Sequence, residues 1–208
     1  MRTRILLGMM LLLAATNAPA GLYTETFSSG ASVGTIPDGN PVGVTFGGSV
    51  SDVASSWTVI GLTVSLNVSG GYNGDLYGYL VAPNGTLVTL MNQPGVTVNT
   101  PFGNLGSGMN LTLADSGAAM MANSDLSSGT YSAVGSLSRF NGSAANGTWM
   151  LFFADVASGG GTSVLDSWSL NITAVPEPEN MALSVFGLML ALGLGWRRLG
   201  WLRATKGE

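Results

Sequence analysis

The chain has 208 residues and a net charge of −4, with 46% hydrophobic residues, only 9% charged ones and 31 glycines. It contains neither histidine nor cysteine. That removes the usual general base, the commonest zinc ligand, the middle member of a Ser-His-Asp relay, and all disulfide and thiolate chemistry. Between Gly21 and Ala174 eight acidic residues face a single cation, Arg139, so the body cannot neutralise phosphates and nucleic acid is excluded as a partner.

The N-terminus reads as an export signal. Arg2 and Arg4 precede an apolar run from Ile5 to Ala15, and Ala18-Pro19-Ala20 ends in the small-x-small pattern of a signal-peptidase site. Residues 1–20 are therefore expected to engage the export machinery and to be removed by signal peptidase, leaving a domain at 21–174.

Within that domain Leu22 to Phe27 and Val42 to Phe46 are strand candidates. A clear strand follows, with Ile60, Leu62, Val64, Leu66 and Val68 on one face and Gly61, Thr63, Ser65 and Asn67 on the other. Leu76 to Val81 and Thr86 to Met91 read as a hairpin joined through Asn84-Gly85, a pair suited to positive φ values. Met109 to Leu113 is a further strand candidate, and Ala118 to Ala122 a short helical one. Trp149, Leu151 and Phe153 alternate with Met150 and Phe152, a pattern of burial on both faces. Ala157 to Thr162 reads as a hairpin loop before a last strand, in which Val164, Trp168, Leu170 and Ile172 face the core. About eight short strands with Gly- and Asn-rich turns predict an all-β antiparallel sandwich or jelly roll.

Past Val175-Pro176-Glu177-Pro178-Glu179 comes an apolar stretch, Met181 to Trp196, and then Arg197-Arg198. It predicts a transmembrane helix at about 181–198, with the basic end cytoplasmic and the domain outside.

Few residues offer chemistry. Asp75, Asp115 and Asp155 are candidate calcium ligands, since hard oxygen donors on the loops of an acidic exported domain suit that ion. The competing reading is that they cap turns through local backbone N–H groups. Asp38-Gly39-Asn40 is a second candidate set of loop ligands, but reads more plainly as a tight turn. Tyr72 and Tyr79 are candidate surface contacts for a ligand, whereas Trp57, Trp149 and Trp168 sit in core-facing runs. No Gly-x-Ser-x-Gly elbow occurs, and the only lysine is Lys206 in the tail. No residue is assigned a catalytic role.

In order along the chain stand Ile36-Pro37-Asp38, the alternating run from Ile60, and Tyr72-Asn73-Gly74-Asp75-Leu76. Ala82-Pro83-Asn84-Gly85-Thr86, Leu137 with Phe140-Asn141-Gly142, Gly147-Thr148-Trp149-Met150-Leu151 with Asp155, and Ser167-Trp168-Ser169-Leu170 follow. This succession resembles the P domain, or homo B domain, of subtilisin-like proprotein convertases. The resemblance implies a jelly-roll β-sandwich of the galactose-binding-like type. It does not imply peptidase activity, because the protease domain that P domains accompany does not fit in this chain. Gly70-Gly71 also stand where the family has His-Thr. The tail is similar to the PEP-CTERM sorting signal of Gram-negative bacteria that make exopolysaccharide. Val175, Pro176, Glu177, Pro178, Arg197 and Arg198 match its parts, and the similarity implies processing by an exosortase.

The expected function is a non-catalytic structural or adhesive module in the extracellular matrix or biofilm, membrane-anchored or released. Exopolysaccharide and a secreted protease are candidate partners. The alternatives are an accessory domain for a separate subtilisin-like serine endopeptidase, and a glycan-binding module.

Overall fold

Strands form wherever apolar residues alternate with Gly, Ser, Thr and Asn, because a pleated backbone sends successive side chains to opposite faces. The computed structural model describes residues 20–28, 30–121, 123–124, 126–177, 186–187 and 189–190. In chain order its strands are β1 Gly21–Phe27, β2 Gly34–Ile36, β3 Asn40–Val50, β4 Trp57–Gly70, β5 Leu76–Val81, β6 Leu87–Asn92, β7 Met109–Ala118, β8 Gly129–Tyr131, β9 Gly147–Asp155 and β10 Ser163–Pro176. They make two sheets. The larger has six strands in the order β1-β10-β4-β7-β8, with β2 also paired to β10; the smaller runs β3-β9-β5-β6. The core lies between the sheets.

The core is built around two tryptophans. Trp149 and Trp168 are fully buried, and each Nε1–H has a carbonyl partner, Ala145 at 3.2 Å and Ser32 at 2.8 Å respectively. Phe27 packs on Trp168 at 4.3 Å between ring centroids, and Phe140 meets Trp149 edge-on at 5.3 Å. A large apolar side chain removed from water contributes about 1.5–3 kcal/mol, and a bonded N–H avoids the cost of a buried unpaired donor.

The sandwich departs from the sequence expectations at identifiable irregularities. β10 bulges between Leu165 and Ser167, so Leu165 rather than Val164 turns into the core. A register shift against Val59 and Gly61 turns Ile60 outward, and it is 48% exposed. β9 is buried on one face only, with Met150 exposed and Phe152 half-buried outside. The Ala157 to Thr162 loop is no hairpin, since β9 and β10 belong to different sheets. Nor are the sheets wholly antiparallel. β8 pairs parallel to β7, because the intervening loop carries the chain back to the start of β7, as parallel neighbours require. Ala118 closes β7 rather than opening a helix. The β5–β6 hairpin forms as expected, though Gly85 alone takes a positive φ (85°) while the Asn84 side chain accepts from the Thr86 N–H.

The domain also extends past Ala174. Val175 and Pro176 remain in β10 opposite Thr58 and Trp57, and the Glu177 N–H donates to the Ser56 carbonyl at 3.0 Å. The export signal, Pro178, Arg197 and Arg198 lie outside the described residues. Phe186, Gly187, Met189 and Leu190 are helical and exposed. Among the described residues no helix is long and apolar enough to cross a membrane.

Trp168→Ala should lower the unfolding free energy by about 3–5 kcal/mol. Trp57→Ala, at a half-buried position against Tyr23, should cost less than half of that. Urea unfolding of the full chain followed by fluorescence measures both. Equal losses would contradict this placement of the core.

Candidate functional site

Of the polar side chains buried among the described residues, Asn73, Asp75, Asn104, Asp155 and Ser163 gather at one end of the sandwich, while Ser143 lies beside the start of β4. β4 ends at Gly70, and Gly71 turns the chain with φ 59°. A Cβ there would fall 1.9 Å from the Ser163 hydroxyl, so only glycine fits. A short 3-10 turn, Asn73–Asp75, follows and leads directly into β5. The loop beyond β6 holds this turn in place. Asn73 N–H donates to the Gly106 carbonyl at 2.9 Å, Gly74 N–H to the Asn104 carbonyl at 2.7 Å, and the Asn73 side-chain amide to the Gly108 carbonyl at 2.9 Å.

Asp75 and Asp155 meet here because the ladder places the start of β5 beside the end of β9. Leu76 is opposite Asp155, and the Val156 N–H donates to the Asp75 carbonyl at 2.9 Å. Asp155 is fully buried and Asp75 is 8% exposed. One Asp155 oxygen accepts from the Ala157 N–H at 3.3 Å, while its Oδ2 has no partner; neither have the buried Asn73 Oδ1 and Ser163 Oγ. Burial first, and then the charges of Asp155 and Asp38, push the Asp75 carboxyl above its ordinary value. Burial likewise raises Asp155 against the opposing bonds from Ala157 and Gly39. Two carboxylates that repel one another and a set of unpaired oxygens suit a hard cation better than a proton donor.

The third expected ligand is elsewhere. Asp115, near the end of β7, accepts from the Leu137 N–H at 2.6 Å, the Ser138 N–H at 2.9 Å and the Ser136 hydroxyl at 2.8 Å. It caps the 3-10 turn Leu137–Phe140. Burial acts to raise its pKa, and these bonds outweigh burial and lower it. Among the described residues no three His, Cys, Asp or Glu side chains gather closely enough to hold a metal by themselves. A cation at Asp75 and Asp155 would complete its shell with neutral oxygens. Asp38 lies within electrostatic reach of both, and its side chain also accepts from the Gly159 N–H at 3.2 Å. Sequence reading preferred a tight turn to a ligand set at Asp38 and passed over Asn73 and Ser163. The one local signal was the density of glycine around them, at Gly70-Gly71 and Gly159 to Gly161.

Tyr72 borders this end, with its ring against Gly160, where a Cβ would strike it at 2.3 Å; the residue is 39% exposed. Tyr79 lies on the outer face of the smaller sheet, stacked on Phe152 at 4.5 Å and 11°. One of its faces is thus already covered. A separate cavity of about 580 Å3 opens beyond β6 among Gln93, Val96, Thr97, Met120, Asn123 and Val134. No charged side chain among the described residues lines it. Gln93 (φ 46°) is the only non-glycine residue with positive φ among those described.

The Proprotein convertase P-domain profile matches residues 59–172. Comparison with curated proteins gives no match. Among solved structures, the crystal structure of an Aeromonas sobria serine protease with the chaperone ORF2 resembles 77% of this chain and 28% of its own, at 18% identity and a TM-score of 0.49. A crystal structure of the serine protease of Aeromonas sobria matches over 75% and 27%, also at 18% identity, with a TM-score of 0.48. This chain spans under a third of the length of those proteins.

The opposed pKa shifts give stability a maximum in mild acid. The raised carboxyls of Asp75 and Asp155 contribute stability when protonated, and lose it as pH rises through their folded values. Asp115 does the reverse, contributing when ionised and losing it as pH falls through its lowered value. Without added metal, the melting temperature should rise as pH falls from 7 towards the ordinary carboxylate range near about 4, then drop below it. In Asp75→Asn the rise should shrink. A melting temperature falling steadily from pH 7 would contradict the buried pair.

Proposed function

Because this chain belongs to the proprotein convertase P-domain family, we propose that it is a non-catalytic binding module of the jelly-roll type, exported and displayed at a bacterial surface. The observation that carries this reading is the state of a serine that the fold sets against a carboxylate. Ser136 stands 2.8 Å from the Asp115 carboxylate, but that carboxylate also accepts two backbone N–H bonds and its pKa is lowered. It is too weak a base to activate a serine, and the chain has no histidine to take its place.

A calcium ion at Asp75 and Asp155 is part of the proposal. It would neutralise two buried charges, engage the unpaired oxygens and rigidify the loops through which the module works. Display rests on the sequence of both ends: export by the N-terminal signal, then retention or exosortase processing at the tail, with the matrix or biofilm of a Gram-negative bacterium as the destination.

A second reading is favoured by the family itself, an accessory domain for a separately encoded subtilisin-like serine endopeptidase. The loop after β6 exposes Val98, Phe102 and Leu105, an apolar surface of the kind that partner proteins cover. Co-purification of such a protease with the full chain, lost in Phe102→Asp, would decide for it.

Three outcomes test the main reading. The full chain should cleave no unstructured protein substrate between pH 5 and pH 9. Millimolar calcium should raise the melting temperature at pH 7, by the equivalent of about 2.7 kcal/mol at a hundred times the dissociation constant, and should flatten the gain on acidification. Asp155→Asn should abolish that response and Asp115→Asn should keep it. Activity lost in Ser136→Ala, or a calcium response that follows Asp115, would reject these assignments.

The tail gives a further prediction. With Val175 and Pro176 paired to β4, a peptidase can reach only the chain beyond Glu177. In a host carrying an exosortase, the mature C-terminus measured by mass spectrometry should lie after Glu177, and Glu177→Ala should leave the domain folded. A mature end before Val175 would show that the last strand opens for processing.

A further inference from the structure

The inner residues of the six-stranded sheet are committed to the core, so those between them in sequence make its outer face. On β10 these are Ser167, Ser169, Asn171 and Thr173; on β4 they are Thr63, Ser65 and Asn67. The register aligns them from strand to strand. Thr26 of β1 stands opposite Ser169, Ser169 opposite Ser65, Ser65 opposite Thr112, and Thr112 opposite Thr130. A row of five hydroxyl side chains thus crosses five strands at intervals of roughly 4.8 Å. Thr24, Asn171 and Thr63 form a second row, two residues or about 6.7 Å along the strands. Asn110 and Asn67 continue the pattern on the other side, opposite Ser167.

The grid is partly ordered in advance. The Thr24 hydroxyl donates to Asn171 Oδ1 at 2.6 Å, and the Ser65 and Thr112 hydroxyls are 3.2 Å apart. None of these positions is charged, although water-facing sheets usually carry Lys or Glu for solubility. The acidic residues are placed around the grid instead. Asp75 and Asp155 sit at strand ends of the other sheet, Glu25 lies opposite core-facing Leu170, Asp166 stands at the β10 bulge on the border, and Asp115, past Thr112 on β7, is bonded to the turn Leu137–Phe140.

We infer that this face docks an uncharged polysaccharide lying across the strands. Hydroxyls and amides both donate and accept, so the grid can pair with sugar hydroxyls without desolvating a charge. Each such bond replaces one to water and gains little. A single sugar would therefore hold weakly, and among the described residues no aromatic ring stands on the face to bury it against. A polymer gains because the rows repeat, so that once one unit is placed its neighbours bind at high effective concentration. An ionic partner finds no opposite charge on the grid, and an apolar protein surface would strand its hydroxyls without partners. The inference deepens the binding-module reading and rests on it.

The test uses the purified full chain with insoluble cellulose, soluble dextran in affinity electrophoresis, and polygalacturonate as the anionic polymer. Retention is expected on the neutral polymers, with free glucose failing to compete and polygalacturonate held at least tenfold less. Ser65→Lys should cut retention at least tenfold. Ser65→Ala combined with Thr112→Ala, which adds no charge, should cut it at least threefold. Thr45→Lys, on the exposed face of the other sheet, should leave it unchanged, and melting curves verify that each variant folds. Equal retention by the folded Ser65 variants, preference for polygalacturonate, or no retention on either neutral polymer would overturn the inference. If calcium still stabilises the chain while no neutral polymer is retained, the polysaccharide face falls and the module reading survives. If both are absent, both fall.

Discussion

The long antiparallel pairing of β4 with β10 is the constraint on which the rest of the molecule depends. The two strands are matched from Ser163 opposite Gly70 to Pro176 opposite Trp57, and they occupy the middle of the larger sheet. Their inner faces supply Val64, Leu66, Trp168 and Leu170 to the core, and their outer faces supply the centre of the hydroxyl grid. One end of the pair sets Ser163 beside Gly71 and the turn that carries Asp75. The other end ties the C-terminal segment to the domain. A one-residue slip would reverse every one of these faces, and the bulges at Asp166 in β10 and at Ile60 in β4 show where the register is adjusted without being lost.

The buried acidic end is energetically unusual for so uncharged a protein. Burying a carboxylate without a partner is costly, and placing a second one beside it adds repulsion. Natural folds tolerate such an arrangement where an external ligand relieves it. Asp115 makes the contrast within the same domain. It is more exposed, accepts three hydrogen bonds from Leu137, Ser138 and Ser136, and has a lowered pKa. Residues of the same type beside turns therefore act oppositely: Asp115 stabilises the fold when ionised, whereas Asp75 and Asp155 cost it stability when ionised.

The junction with the tail has a similar logic. Proline lacks an N–H and is tolerated where a strand has lost one neighbour. At Pro176 only β4 is paired, since β1 begins opposite Ala174. The ladder can therefore continue through this proline and finish with the Glu177 N–H bond to Ser56. The segment from Val175 to Glu177 is extended, as Pro176 favours, and is part of the sandwich rather than a free linker.

How much of this was legible in the sequence depends on the range of the interaction. Strand signals are local, so β1, β3, β4, β5, β6, β7, β9 and β10 could be located from them, as could the Asn84-Gly85 hairpin and the core roles of Trp149 and Trp168. The absence of histidine and cysteine excluded relay and thiolate catalysis without any coordinates. The candidate site was legible only in part. Asp75 and Asp155 could be named as acidic residues in turn-rich segments, but so could Asp115, because composition cannot tell a carboxylate bonded to nearby N–H groups from one left unpaired. That distinction is made by the β5–β9 ladder, which pairs Leu76 with Asp155, 79 positions apart. The bulges that move Ile60 and Val164 out of the core, the parallel pairing of β8, and the alignment of Thr26, Ser169, Ser65, Thr112 and Thr130 in one row are likewise products of register. Register is a property of strand pairs, and no single strand contains it.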